Sequence, residues 1–223
     1  MVLALYNAYH PEYPQRNFQK IKTVSQNPGI AFFDFDGTIT TKDTLFEIAR
    51  FQVGNNSFYK GIIKLLPTLV ATKMKWIPAV QGKEQFLQQF FKGMPLLHFN
   101  LSCQEFTKNV LPNFIRAKAI SAITRHLSEG DRVIVVTASA ENWVRPWCDS
   151  LGIECIGTRL QSENGKLTGL IEGINCNGQE KVNRIQQYVN LSDYSAIHAY
   201  GDTAGDHPML QLAGNAVFKP FRD

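Results

Sequence analysis

Cysteine is scarce in this chain of 223 residues, and the four present, Cys103, Cys148, Cys155 and Cys176, show no C-x-x-C spacing. A zinc site and a disulfide framework are thereby set aside, which leaves reduced, buried thiols as the reading. Charge of one sign is lacking too: 23 basic and 19 acidic residues are scattered without a run of like charge, for a formal net charge of +4. So mild a balance gives no footprint for nucleic acid and suits an ordinary solvated surface. The beginning of the chain does not read as a secretory signal, because the short apolar stretch Val2 to Leu5 gives way to Asn7, His10, Pro11, Glu12 and Pro14. A cytoplasmic location is the default expectation. No internal repeat or low-complexity tract is visible.

What is present is an apolar content of 44%, enough for a full core and one extra lobe. Residues 1–29, with Pro11, Pro14 and Pro28, read as an N-terminal leader. Ile30 to Phe35 and Val133 to Val136 are short apolar runs rich in β-branched and aromatic residues, the pattern of strands buried on both faces of a parallel sheet. Ala196 to Tyr200 and Ala216 to Phe218 repeat it more weakly. Ile115, Ala119, Ile120, Ile123 and Leu127 recur at helical steps and end at Gly130, and Ser139 reads as the N-cap of a helix through Trp143 and Trp147. A short strand at Ile153 to Ile156 follows, and Asn164-Gly165 then marks a β-hairpin between Thr158–Ser162 and Lys166–Ile171. Strands alternating with helices predict an α/β, doubly wound, Rossmann-like core over residues 30–42 and 116–223. Residues 43–115 break the alternation, with helical stretches at Thr44–Phe51, Phe58–Ala71 and Glu84–Phe91, and read as an inserted helical lobe.

Open α/β sheets bind ligands beyond the carboxyl ends of their strands. There the sequence offers Asp34-Phe35-Asp36-Gly37-Thr38, then Thr137-Ala138-Ser139, then Gly201-Asp202-Thr203-Ala204-Gly205-Asp206, with Lys181 opening a helical stretch after Gly178. Two carboxylates about 4 Å apart repel by roughly 4 kcal/mol at an effective dielectric of 20, so the cluster calls for a cation. Oxygen-only ligands suit Mg²⁺, and a threonine with a lysine suits phosphoryl oxygens. Taken singly, each piece has a plainer reading: Asp34 as a turn and cap, Lys181 as a solvated helix residue, Asp206 as the N-cap of the segment with Pro208. His207 and the pair Trp143 and Trp147 read as structural.

The ordered set Asp34-Phe35-Asp36-Gly37-Thr38, Thr137, Lys181 and Gly201-Asp202 with Asp206 resembles the four motifs of the haloacid dehalogenase superfamily. The helical insertion and the wording Gly165-Lys166-Leu167-Thr168-Gly169 look like its subgroup of phosphoserine phosphatases and related lipid-phosphate phosphatases, in which the inserted lobe is a cap. The resemblance implies a phosphoric monoester hydrolase in which Asp34 is the nucleophile and forms an aspartyl-phosphate, while Asp36 is acid and base. It implies Mg²⁺ on Asp34, Asp202 and the Asp36 carbonyl, with Asp206 and Thr38 behind them, and Thr137, Lys181, Gly37 and Ala138 around the phosphoryl group. Asp43 stands where phosphoserine phosphatases hold an acid near the substrate amino group, yet Glu84 to Lys92 contains no arginine for a carboxylate.

The expected substrate is therefore a small organic phosphate ester. The alternatives are a lipid phosphate at a membrane surface and a non-catalytic phosphate-binding module, the latter disfavoured by the paired Asp34 and Asp36. A receiver-type signalling domain is excluded by length and by motif order. The lobe sets Ile62, Ile63, Leu65, Leu66, Leu69, Val70, Met74, Trp76 and Ile77 beside Lys60, Lys64, Lys73 and Lys75. The lysines interrupt any span of the about 20 residues a bilayer requires. Packing of this stripe against the core is favoured over peripheral membrane contact. Nothing in the sequence speaks to oligomeric state.

Overall fold

A computed structural model of the chain describes residues 27–222. The expected leader therefore lies, up to residue 26, outside the described residues. Six strands form one sheet: β1 (Ile30–Phe33), β2 (Arg132–Ala140), β3 (Glu154–Glu163), β4 (Lys166–Glu172), β5 (Ile197–Gly201) and β6 (Asn215–Phe218), in the order β4-β3-β2-β1-β5-β6. All pairings are parallel except β3 with β4. Helices α1 (Thr44–Lys73), α2 (Ala79–Phe91), α3 (Leu96–Asn109), α4 (Ala117–Glu129), α5 (Glu141–Leu151), α6 (Gln179–Tyr188) and the short α7 (His207–Leu210) complete the α/β architecture read from the sequence.

Strand β1 is fully buried on both faces, as its unbroken apolar run requires. Its alternate residues face two cores: Ala31 and Phe33 join the cluster that continues into the helical lobe, while Ile30 and Phe32 join the smaller cluster under α6 and α7. Phe33 pairs with Val135 on one side and Tyr200 on the other. Asp34 therefore lies level with Val136 and Gly201, one residue short of Thr137 and Asp202.

Two local expectations are revised. The short strand 153–156 and the first hairpin arm are one continuous strand, β3, which pairs with β2 through Ile156 and, past a register shift, at Thr158, and with β4 from Arg159 onward. In the lobe, α1 is broken between the expected stretches 44–51 and 58–71: Gly54 adopts φ 75° and ψ 161° inside it, so two helices meet at a kink there. Helix α3 was not foreseen; its apolar residues Phe99, Cys103 and Phe106 recur at helical steps and are buried. The lobe core is strongly aromatic, with Phe86 4.7 Å from Phe90 and Phe91 5.0 Å from Phe99 between ring centroids, contacts worth about 0.5–1.5 kcal/mol each beyond burial. All four cysteines are buried and free. Among the described residues, no helix is long and apolar enough to cross a membrane.

Candidate active site

The carboxyl ends of β2, β1 and β5 are adjacent in the sheet, so the residues that follow them converge. Lys181 connects them. From the first turn of α6 its buried Nζ donates to Asp34 Oδ1 at 2.6 Å, Asp206 Oδ1 at 2.6 Å and the Val136 carbonyl at 2.8 Å. All three ammonium N–H groups are thereby used. Burial disfavours the charge on Lys181, but Asp34 and Asp206 outweigh it and hold its pKa above the ordinary lysine value. Asp206 is drawn the other way: burial raises its pKa, Lys181 more than compensates, and the net shift is downward. Its second oxygen accepts from the backbone N–H of Asp202, the N–H of Thr203 and the Thr203 hydroxyl. This reciprocal box caps the turn 204–206 and leaves α7 without a side-chain cap, so the cap function of Asp206 falls one turn earlier than expected.

Asp34, 6% exposed, is pushed up to about 7, first by burial, against the opposing Lys181 and with the charge of Asp206 adding to it. A carboxylate this buried is stabilised in its charged form by more positive charge than one shared lysine provides. Carboxylate oxygens of Asp34, Asp202 and Asp206 lie within 4.8 Å of one another. Those of Asp206 are consumed by the bonds above, so Asp34 and Asp202 are the pair suited to a divalent cation. Thr38 Oγ1 donates to Asp202 Oδ1 at 3.2 Å and Arg222 to Asp202 Oδ2 at 2.7 Å. Gly37, at φ 80°, passes so close that a Cβ there would stand 2.5 Å from Asp202 Oδ2; any side chain would push this carboxylate away.

Asp36 sits apart from that pair. Its Oδ1 accepts from the backbone N–H of Thr44 at 2.7 Å, at the start of α1, and its Oδ2 from the Ser139 hydroxyl at 2.5 Å. Burial and then the charge of Asp43 push it up to about 6, against these two bonds. Ser139 is thus no helix cap: β2 runs on to Ala140, which takes the N-cap position of α5, and the serine hydroxyl turns to Asp36. Thr137, 1% exposed, accepts the Ser139 N–H at 3.0 Å. Trp143, fully buried on α5, donates from its indole to Thr44 Oγ1 at 3.0 Å and so fixes the helix start that holds Asp36. Asp43 caps α1 through Leu45 N–H at 2.9 Å; although it stands at the solvent edge, the protein around its carboxyl raises the pKa. His207 lies edge-on to Phe218 and away from this chemistry.

Sequence reasoning missed Lys83, which the search for an arginine over Glu84–Lys92 bypassed by one position. Its Nζ reaches from α2 to the Ala138 carbonyl at 2.5 Å and Asn175 Oδ1 at 2.7 Å. Burial lowers its pKa to about 8, against the opposing charges of Asp36 and Asp43. Thr158 Oγ1 shares both acceptors, at 2.7 and 3.0 Å. Arg222 was missed as well, since only the chain's return past β6 brings it to Asp202.

The family model of the haloacid dehalogenase-like hydrolases matches residues 31–211. Protein CicA of Caulobacter vibrioides is 31% identical over 201 residues, 89% of each chain. A phosphoserine phosphatase of Methanocaldococcus jannaschii is 30% identical over 192 residues, 83% of this chain and 82% of its own. Among solved structures, a Bordetella pertussis protein of unknown function superposes with a TM-score of 0.75 at 23% identity, over 86% of this chain and 89% of its own.

Proposed function

The chain belongs to the haloacid dehalogenase-like hydrolases, and from that premise we propose that it hydrolyses the phosphate monoester of a small organic molecule through an aspartyl-phosphate on Asp34. It is a phosphoric monoester hydrolase; the roles of individual residues, the cofactor and the substrate class are our reading. The observation that carries it is the buried contact of Lys181 with Asp34, one carboxylate away from Asp202 and separate from the second acid, Asp36.

Asp34 attacks phosphorus, the bond to the ester oxygen breaks, and Asp36 gives its proton to that oxygen. In the second step Asp36 takes a proton from water, which attacks the aspartyl-phosphate and returns Asp34 as a carboxylate. A pKa near 6 suits a group that must both give and take a proton. Ser139 and Thr44 hold its carboxylate in place. Lys181, whose three N–H groups are taken, offsets charge on Asp34 and on the phosphoryl group through its own charge, while Thr137, Gly37 and Ala138 take up phosphoryl oxygens.

The donor set fits Mg²⁺, with Asp34, Asp202 and the Asp36 carbonyl as ligands and Thr38 and Asp206 behind them. The ion would supply positive charge that keeps Asp34 ionised and balances the phosphoryl oxygens. Residues 43–115 act as the cap that shapes the substrate side, with Asp43 and Lys83 the charged groups nearest Asp36.

Aryl phosphate hydrolysis with and without Mg²⁺ tests the reading. Asp34→Asn is expected to lose about a thousandfold or more in kcat, with no acid-stable, base-labile phosphoryl adduct. Wild-type turnover by this variant would end the covalent mechanism.

A further inference from the structure

Helix α1 carries two apolar faces, and only one of them is covered. At about 100° per residue, Phe58, Leu65 and Leu69 fall on one side and pack into the lobe core. Tyr59, Ile63, Leu66, Val70 and Met74 fall about 120° further round, on a flank of the helix, in steps of three and four, and all are about half-exposed or more, Ile63 at 65%. Trp76, just past the helix end, is 73% exposed. The expectation that this stripe packs against the core therefore holds for one face and fails for the other. A single exposed leucine needs no explanation, but a continuous apolar stripe closed by a tryptophan marks a contact surface.

Charge identifies the partner. No acidic residue lies between Glu47 and Glu84. Lys60 and Lys64 border the stripe on one side, Lys73 on the other and Lys75 at its end, all exposed. We propose that this face docks on an anionic lipid surface, with the helix lying in the plane of the interface. Apolar side chains would enter the boundary between headgroups and acyl chains, and the lysines would reach outward to lipid phosphates along their own apolar stems. Trp76 sits where an interfacial ring is favoured, at the end of the apolar stripe. A second copy of the chain would set lysines against lysines. Residues 1–26 carry Arg16, Lys20 and Lys22 against Glu12; like a second copy, they lack the negative charge that the face calls for. The docking face lies on the flank beside the face that packs inward, and the proposal does not depend on the phosphatase reading.

The test uses the full chain with vesicles of phosphatidylcholine containing phosphatidylglycerol, and with phosphatidylcholine alone. Wild-type protein is expected to float with the anionic vesicles and to lose roughly tenfold or more of its affinity between low and high salt. Trp143 and Trp147 are buried, so a blue shift of tryptophan emission on binding reports Trp76. Replacing Ile63, Val70 and Trp76 by serine is expected to abolish both signals, and Lys64→Glu with Lys73→Glu to weaken binding about tenfold. Unchanged aryl phosphate turnover and melting show that each variant is folded. Because the charge variant alters exposed side chains only, it still decides the matter if the serine variant misfolds. The proposal is overturned if wild-type protein ignores anionic vesicles, or if the folded variants bind as well as wild type. It is also overturned if the serine variant dissociates a dimer that itself does not bind vesicles, which would give the face to a second copy.

Discussion

The hydroxyl of Ser139 donates to Asp36 Oδ2, and its backbone N–H donates to Thr137 Oγ1, so one residue near the end of β2 touches two of the groups to which we assign chemistry. Ser139→Ala removes the first bond and keeps the second. We expect kcat to fall about tenfold while KM stays within a factor of two or so, because a positioning contact to the acid is lost and no substrate contact is. Steady-state kinetics on one alkyl phosphate checks this split. Lys83 should behave in the opposite way. Lys83→Met is expected to raise KM roughly tenfold for esters whose leaving group carries an anion, to leave aryl phosphate unaffected, and to be rescued in part by Lys83→Arg. Neither residue stands out in the sequence. Asp34 and Asp36 do, because an acid after a buried strand is chemically conspicuous, whereas a serine that reads as a helix cap or a lysine in a lobe has an ordinary use everywhere else.

At the scale of elements, the periodicity of α4 and the apolar run of β1 are local properties and were legible as they stood. So was the break in α1, which falls at the glycine between the helical stretches 44–51 and 58–71. Gly54 combines φ 75° with ψ 161°, a region open essentially to glycine, and no atom lies near enough to obstruct a Cβ. Gly54→Ala should therefore cost about 1–3 kcal/mol through backbone strain alone, measured as a lower midpoint in urea with an unchanged slope. An unaffected midpoint would mean that the kink relaxes into continuous helix. The join of β3 was not legible. Its first half pairs with a strand distant in sequence and its second with its hairpin neighbour, and nothing local says that both belong to one strand.

The whole molecule is tied together at the other side of Phe33 by His126. Its buried Nδ1 is 2.7 Å from Asp131 Oδ2, and its Nε2 faces the Tyr200 hydroxyl at 2.9 Å and an Arg125 N–H at 3.2 Å. Two donors on Nε2 require its lone pair, so the ring is neutral and donates from Nδ1. Burial first, then Arg125 and His198, lower its pKa, against the pull of Asp131. A histidine depressed in the folded state contributes stability that is complete above the unfolded value of about 6.5 and is lost as pH falls through the folded one. The melting temperature of the wild type relative to that of His126→Gln should therefore decline below that pH, since Asp34 and Asp36, whose raised pKa values act in the opposite direction, bear on both proteins alike. Mg²⁺ should raise the melting temperature of the wild type by mass action, and much less so that of Asp202→Asn; an equal rise in both would remove Asp202 from the ligands. Sequence alone determined the α/β class, the order of the motifs and the acids at the strand ends, because these follow from local pattern and from where the strands stop. Only the tertiary structure decided which groups meet those acids, since Lys83, Ser139 and Arg222 arrive from separate elements. It also decided which face of α1 is covered, because burial depends on what the rest of the chain places against a helix, and the helix's own period is the same on both sides.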